Sequence, residues 1–109
     1  MSAFEPMRRC RRLLILGGVL LIPAATFAQD SAQIAAGAEA YRDKCAECHG
    51  ERLVNPGASF DLRKLHADER ARFDKSVNDG KGQMPAWGGV LSAEDMDALW
   101  AYIRSKAYD

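Results

Sequence analysis

Five consecutive residues, Cys45-Ala46-Glu47-Cys48-His49, place two thiols and an imidazole at positions i, i+3 and i+4. On a helical turn those positions face one way, so two sulfurs and one ring nitrogen meet a single ligand. Thiols in this arrangement add S–H across the two vinyl groups of a haem, and the adjacent histidine is carried beneath the iron as its proximal ligand. A thioredoxin-like dithiol would want a βαβ context that the pattern lacks. A zinc half-site would want a second ligand pair, for which only His66 remains.

The other side of the iron calls for a second ligand or an open position, and the choice separates an electron carrier from a site that binds gas or substrate. Past the cysteines the chain has two methionines. Met96 falls on an apolar helical stripe, where methionine fills core space. Met84 lies in Lys81-Gly82-Gln83-Met84-Pro85, a glycine-flanked, proline-braced loop suited to presenting a thioether to one edge of a cofactor. Met84 is the expected distal ligand. His66 is the competitor and would make the site bis-histidine, although its place beside Lys64 and Asp68 marks it as an exposed side chain. An iron-bound histidine donates its other ring N–H to a carbonyl or carboxylate, and the carbonyl of Pro56 is expected to fill that role. Trp87 and Arg63, whose side chains only donate, are expected at the haem propionates.

These residues need elements to hold them. Ile34, Ala38, Tyr41 and Cys45 step by four, three and four and share one helical face, which predicts a helix running into the cysteines. Gly37 interrupts that face and predicts a close approach by another element, because glycine costs about 1 kcal/mol relative to alanine inside a helix. Residues 50–59, with Asn55-Pro56-Gly57, read as a loop. A short middle helix is expected with Asp68 as N-cap, Phe73 and Val77 on its apolar side and Gly80 at its end. Three glycines and Pro85 make 81–89 irregular. In the last helix Ser92 is the cap, Glu94 and Asp95 complement the dipole, and Met96, Leu99, Trp100 and Ile103 form the apolar stripe. No strand pattern or internal repeat competes, so the fold class is all-α.

A chain of 109 residues has room for one domain and a short targeting segment. Arg8, Arg9, Arg11 and Arg12 precede an apolar run over 13–22, then Pro23 and Thr26-Phe27-Ala28, the order of an export signal. The run falls short of the roughly 20 residues that span a bilayer, so residues 1–28 are expected to be a cleaved signal peptide that takes Cys10 with it. No membrane anchor is then expected to remain, and residues 29–109 form the domain, placed in the periplasm. The remaining eleven basic and fourteen acidic side chains give a net charge of −3, which is no footprint for nucleic acid. A domain this small buries too little surface to be robust alone; a haem would complete its core.

With these residues in view, the chain resembles a class I c-type cytochrome over 35–106. Cys45, Cys48 and His49 match that family's haem-attachment sequence, Met84-Pro85 its methionine loop, and Leu99-Trp100-Ala101-Tyr102-Ile103 its last helix. The resemblance implies the class I cytochrome c fold, three to four short helices and irregular loops around one covalent haem c. It implies that Gly37 and Tyr41 cross the last helix near Trp100, and that Pro56 supplies the carbonyl to the proximal histidine. His49 and Met84 are only 35 residues apart, short for the family, so trimmed loops and a more exposed haem edge are expected. The runs Asp61-Leu62-Arg63-Lys64-Leu65 and 80–87 are similar to small cytochromes that serve quinone-cofactor alcohol dehydrogenases.

Two functions are weighed against each other. An electron carrier needs a closed iron site and a haem edge that docks redox partner proteins briefly, as a monomer in transient complexes, taking electrons from a dehydrogenase or quinol-oxidising complex and giving them to an oxidase. A haem enzyme or ligand sensor needs an open sixth position with polar distal groups, and no acid or base flanks Met84 in sequence. A fixed haem subunit of a larger dehydrogenase lies between the two.

Overall fold

The four-three-four spacing from Ile34 to Cys45 lies on the inner face of the first helix, α1 (Ala25–Lys44), and the residue that follows it. The computed structural model describes residues 17–18 and 25–108; the export segment expected at 1–28 lies largely outside them. After α1 come a single turn, α2 (Ala46–His49), then α3 (Arg70–Asp79) and α4 (Ala93–Ser105), with 3-10 turns at Glu51–Leu53, Leu62–Lys64 and Ala67–Glu69 between α2 and α3. Among the described residues there is no strand, and no helix is long and apolar enough to cross a membrane. The all-α class I cytochrome c fold expected from the sequence is the fold observed.

The main packing event is the crossing of α1 over α4. A Cβ added to Gly37 would lie 1.9 Å from the carbonyl oxygen of Ala98 and 2.9 Å from the Cβ of Tyr102, so the two backbones meet where the glycine gives up its side chain. One helical turn on, the rings of Tyr41 and Tyr102 pack with centroids 5.4 Å apart. The crossing therefore falls at the level of Trp100, as expected, with Ala98 and Tyr102 on either side making the contacts. Trp100 is two residues from each, roughly 200° around the helix, and faces α3 instead, its ring 5.3 Å from Phe73. Tyr41, Leu53, Leu99 and Ile103 are fully buried, and Met96 is core filling.

Helix ends are set by the residues at them. Ser92 Oγ accepts from the Asp95 N–H at 3.0 Å while the Asp95 carboxylate accepts from the Ser92 N–H at 3.0 Å, a reciprocal capping box. The bond from the Ser92 N–H favours the ionised Asp95 carboxylate and lowers its pKa. The helical path into the middle helix starts earlier than expected, with a 3-10 turn before α3 itself begins at Arg70: the chain turns at His66, whose N–H donates to the Glu69 carboxylate at 2.8 Å. Asp68 is thus inside the 3-10 turn Ala67–Glu69 rather than capping α3. Phe73 and Val77 are buried on α3, and Gly80 ends it at φ 75.

Candidate functional site

A cavity of about 740 Å³ opens between the α2 turn, the 55–60 loop, α3 and the 80–87 loop. Its apolar wall comes from Leu62, Leu65, Phe73, Val77, Leu99 and Ile103, and Cys45, Cys48, His49 and Met84 all line it. Residues from five separate stretches of sequence thus converge on one space of the size that takes a cofactor.

His49 ends α2 and is held by the loop that follows. A Cβ at Gly50 would sit 1.8 Å from the carbonyl oxygen of Val54, and Gly50 has φ 90, so only glycine lets the chain turn back this sharply. Arg52 and Leu53 continue the turn in the left-handed region at φ 52 and 66, conformations that cost non-glycine residues energy; burial of Leu53 offsets it. Asn55 then accepts from the Gly57 N–H at 2.7 Å and donates through Nδ2 to the Ser59 carbonyl at 2.8 Å, an Asx turn. The loop thereby brings the Phe60 carbonyl to 3.1 Å from His49 Nδ1. A carbonyl only accepts, so Nδ1 carries the proton and Nε2 is left with its lone pair.

This replaces the expected role of Pro56. Pro56 lines the cavity, but the carbonyl that reaches the ring is four residues later, because the Asx turn at 55–57 spends Pro56 on reversing the chain.

The Cys45 thiol is half-buried, and burial pushes its pKa up to about 11 against the opposing pull of the Lys44 ammonium. Such a thiol stays protonated at neutral pH. That differs from the depressed pKa of thiol–disulfide exchange sites and leaves an S–H available for addition to a vinyl group.

Met84 closes a four-residue turn. Lys81 and Met84 exchange both backbone hydrogen bonds, at 2.9 and 3.1 Å, with Gly82 at φ 58 inside the turn. A Cβ at Gly80 would meet the Met84 carbonyl oxygen at 2.6 Å. The Trp87 N–H donates to the Val77 carbonyl at 2.8 Å and the Gly88 N–H to that of Asn78 at 3.2 Å, which tie the loop to the end of α3. Trp87 itself lines the cavity, with the Lys44 ammonium 5.9 Å from its ring centroid.

Two of the residues singled out from sequence stand apart. His66 is exposed and is not in the cavity wall. Arg63 lies outside the lining, its guanidinium 4.5 Å over the Tyr108 ring and its buried Nε 3.6 Å from an Asp61 oxygen without a hydrogen-bond partner. Sequence reasoning missed Ser59 and Phe60. The signal for them was Asn55-Pro56-Gly57, whose turn chemistry fixes where the loop returns to His49.

The cavity fits a haem: an apolar wall, two thiols and a histidine already oriented through Nδ1. Residues 32–103 match the family model described as cytochrome c oxidase, cbb3-type, subunit III. The chain is 33% identical to cytochrome c6 of Rippkaea orientalis over 106 residues, covering 93% of this chain and 96% of that one. It is 38% identical to cytochrome c6 of Microcystis aeruginosa over 76 residues, 65% of this chain and 94% of the relative. It is also 33% identical to the quinohemoprotein alcohol dehydrogenase ADH-IIG of Pseudomonas putida over 82 residues, 73% of this chain but 11% of that enzyme. No solved structure matches. An all-α fold around this cavity and kinship along nearly the whole chain lead to one conclusion: the protein belongs to the class I c-type cytochromes, small electron carriers with one covalently bound haem c.

Proposed function

We propose that Cys45 and Cys48 hold the haem through thioethers, that His49 and Met84 are its axial ligands, and that the protein is a periplasmic one-electron shuttle. The observation that carries this reading is the convergence of those four side chains on one apolar cavity. Bound there, haem iron supplies ferric/ferrous chemistry, at a potential that His and Met ligation raises. The chain's own residues do the rest. The Phe60 carbonyl fixes the His49 tautomer, and the Lys81–Met84 bridge holds the methionine backbone through both redox states. A thioether has no proton to release, and the apolar wall keeps water off the ligands, so electron transfer proceeds without proton uptake at the ligands.

The donor is a dehydrogenase or quinol-oxidising complex and the acceptor an oxidase. The similarity to a quinohemoprotein alcohol dehydrogenase supports the first, and the family description as an oxidase subunit supports the second. Export by the signal at 1–28 puts the protein with them, and Trp87, which lines the cavity, serves the propionate edge. Encounters of this kind use small interfaces, so the charge of −3 acts on association rate. A second reading, a haem subunit within a larger dehydrogenase, is favoured by the match to one ninth of such an enzyme.

The test is expression of the full chain with haem-attachment machinery. The haem should remain with the polypeptide after acid–acetone extraction, be lost from Cys45→Ala/Cys48→Ala, and titrate as one electron. Haem extracted from the wild type would contradict covalent attachment. Purification at native abundance as a lone 81-residue chain supports the shuttle, and constant co-purification with a dehydrogenase supports the subunit.

A further inference from the structure

We propose that Ser59 is a positioning residue for the proximal histidine, a second acceptor on His49 Nδ1 that tunes the iron through the ring; this rests on His49 being the iron ligand proposed above. Ser59 Oγ lies 2.9 Å from the carbonyl oxygen of Cys48 and 3.3 Å from His49 Nδ1. A hydroxyl has one proton and two lone pairs. The Cys48 carbonyl has no proton to offer, so the hydroxyl proton goes to it, and what faces the imidazole is a lone pair. The Nδ1–H is therefore shared between the Phe60 carbonyl at 3.1 Å and the Ser59 hydroxyl at 3.3 Å.

The same oxygen thus grips the backbone of an attachment cysteine and the ring of the adjacent ligand. Its own position is set by Asn55, whose Nδ2 donates to the Ser59 carbonyl at 2.8 Å. Three links tie the Asx turn to the attachment motif: Asn55 to the Ser59 backbone, the Ser59 side chain to the Cys48 carbonyl, and the Ser59 side chain to His49 Nδ1, on the ring edge away from the iron. Acceptors on the distal ring N–H make an imidazole a more basic ligand. A more basic ligand favours ferric over ferrous iron, so the second acceptor lowers the reduction potential below that set by the Phe60 carbonyl alone.

The experiment is a redox titration of holo wild type, Ser59→Ala and Ser59→Thr, with the solvent exchange of the hyperfine-shifted His49 ring N–H measured by NMR in each. Ser59→Ala should raise the potential and speed the exchange several-fold, with low-spin iron retained, and Ser59→Thr should return both to wild-type values. If Ser59→Ala takes up no haem, the isosteric pair Ser59→Thr and Ser59→Val carries the test, since they differ by hydroxyl against methyl, and valine should show the higher potential. Equal potentials and equal exchange across the hydroxyl and non-hydroxyl variants, on a low-spin wild type, would overturn the role of Ser59 alone. A wild type without low-spin iron would overturn the ligand assignment and this inference with it.

Discussion

The α1–α4 crossing and the two loops that line the cavity are built on different principles. The crossing is side-chain packing on regular backbone: Gly37 against Ala98, Tyr41 against Tyr102, and Leu99 and Ile103 buried beneath. The loops at 50–60 and 80–88 hold His49 and Met84 in place through backbone hydrogen bonds and left-handed residues, with few buried side chains of their own. The crossing carries the helix packing, and the loops set where the two proposed ligands stand in the cavity. Damage to the two should therefore be separable, the first read as global stability and the second as ligation.

Gly37→Val breaks the crossing most severely. Its Cβ would overlap the Ala98 carbonyl, and the helices must part, at a cost on the order of 3 kcal/mol for overpacking that the backbone cannot absorb. Chemical denaturation of the holoprotein should show it as a lower midpoint. Alkali attacks the same region. Burial pushes the Tyr41 phenol from 10.0 to about 12 in the fold, and its hydroxyl donates to the Gly50 carbonyl at 2.5 Å. Between those values the unfolded chain releases the proton first, so the stability from the protonated phenol is whole below pH 10.0 and lost as pH climbs through about 12. That contribution is about 3 kcal/mol, and Tyr41→Phe should flatten the stability profile across this window.

Gly80→Ala tests the loops. Alanine there must adopt φ 75 with its Cβ against the Met84 carbonyl, a strain of about 1–2 kcal/mol. The turn should open and ligation by Met84 weaken, seen as faster carbon monoxide binding to the reduced protein, while the denaturation midpoint moves less than in Gly37→Val. Ser92→Ala is the mildest, about 1 kcal/mol for a lost N-cap. It should lower stability and leave the spectrum unchanged, because the cap serves α4 and no ligand.

The same contrast explains what was legible in the sequence. Helices announce themselves through periodicity and caps, so the inner face of α1, the Ser92 cap and the core place of Met96 could all be read in advance. Gly37 foretold the crossing near Trp100, though Ala98 and Tyr102 make the contacts there, because a stripe of large apolar residues does not say which of its members touches which helix. Loop partners are set by backbone direction, which residue types record faintly. Pro56 was singled out by type for a carbonyl that the Asx turn assigns to Phe60. Leu53, in a stretch without apolar period, enters the core through a left-handed turn that no period describes.

The central claim is that this small cavity closes iron between His49 and Met84. The most direct measurement is the near-infrared absorption of the ferric holoprotein, where sulfur-to-iron charge transfer gives a weak band. That band is expected in the wild type, with its loss in Met84→Ala and its survival in His66→Ala. A wild type without it, or a band that disappears with His66 and persists without Met84, would contradict the account.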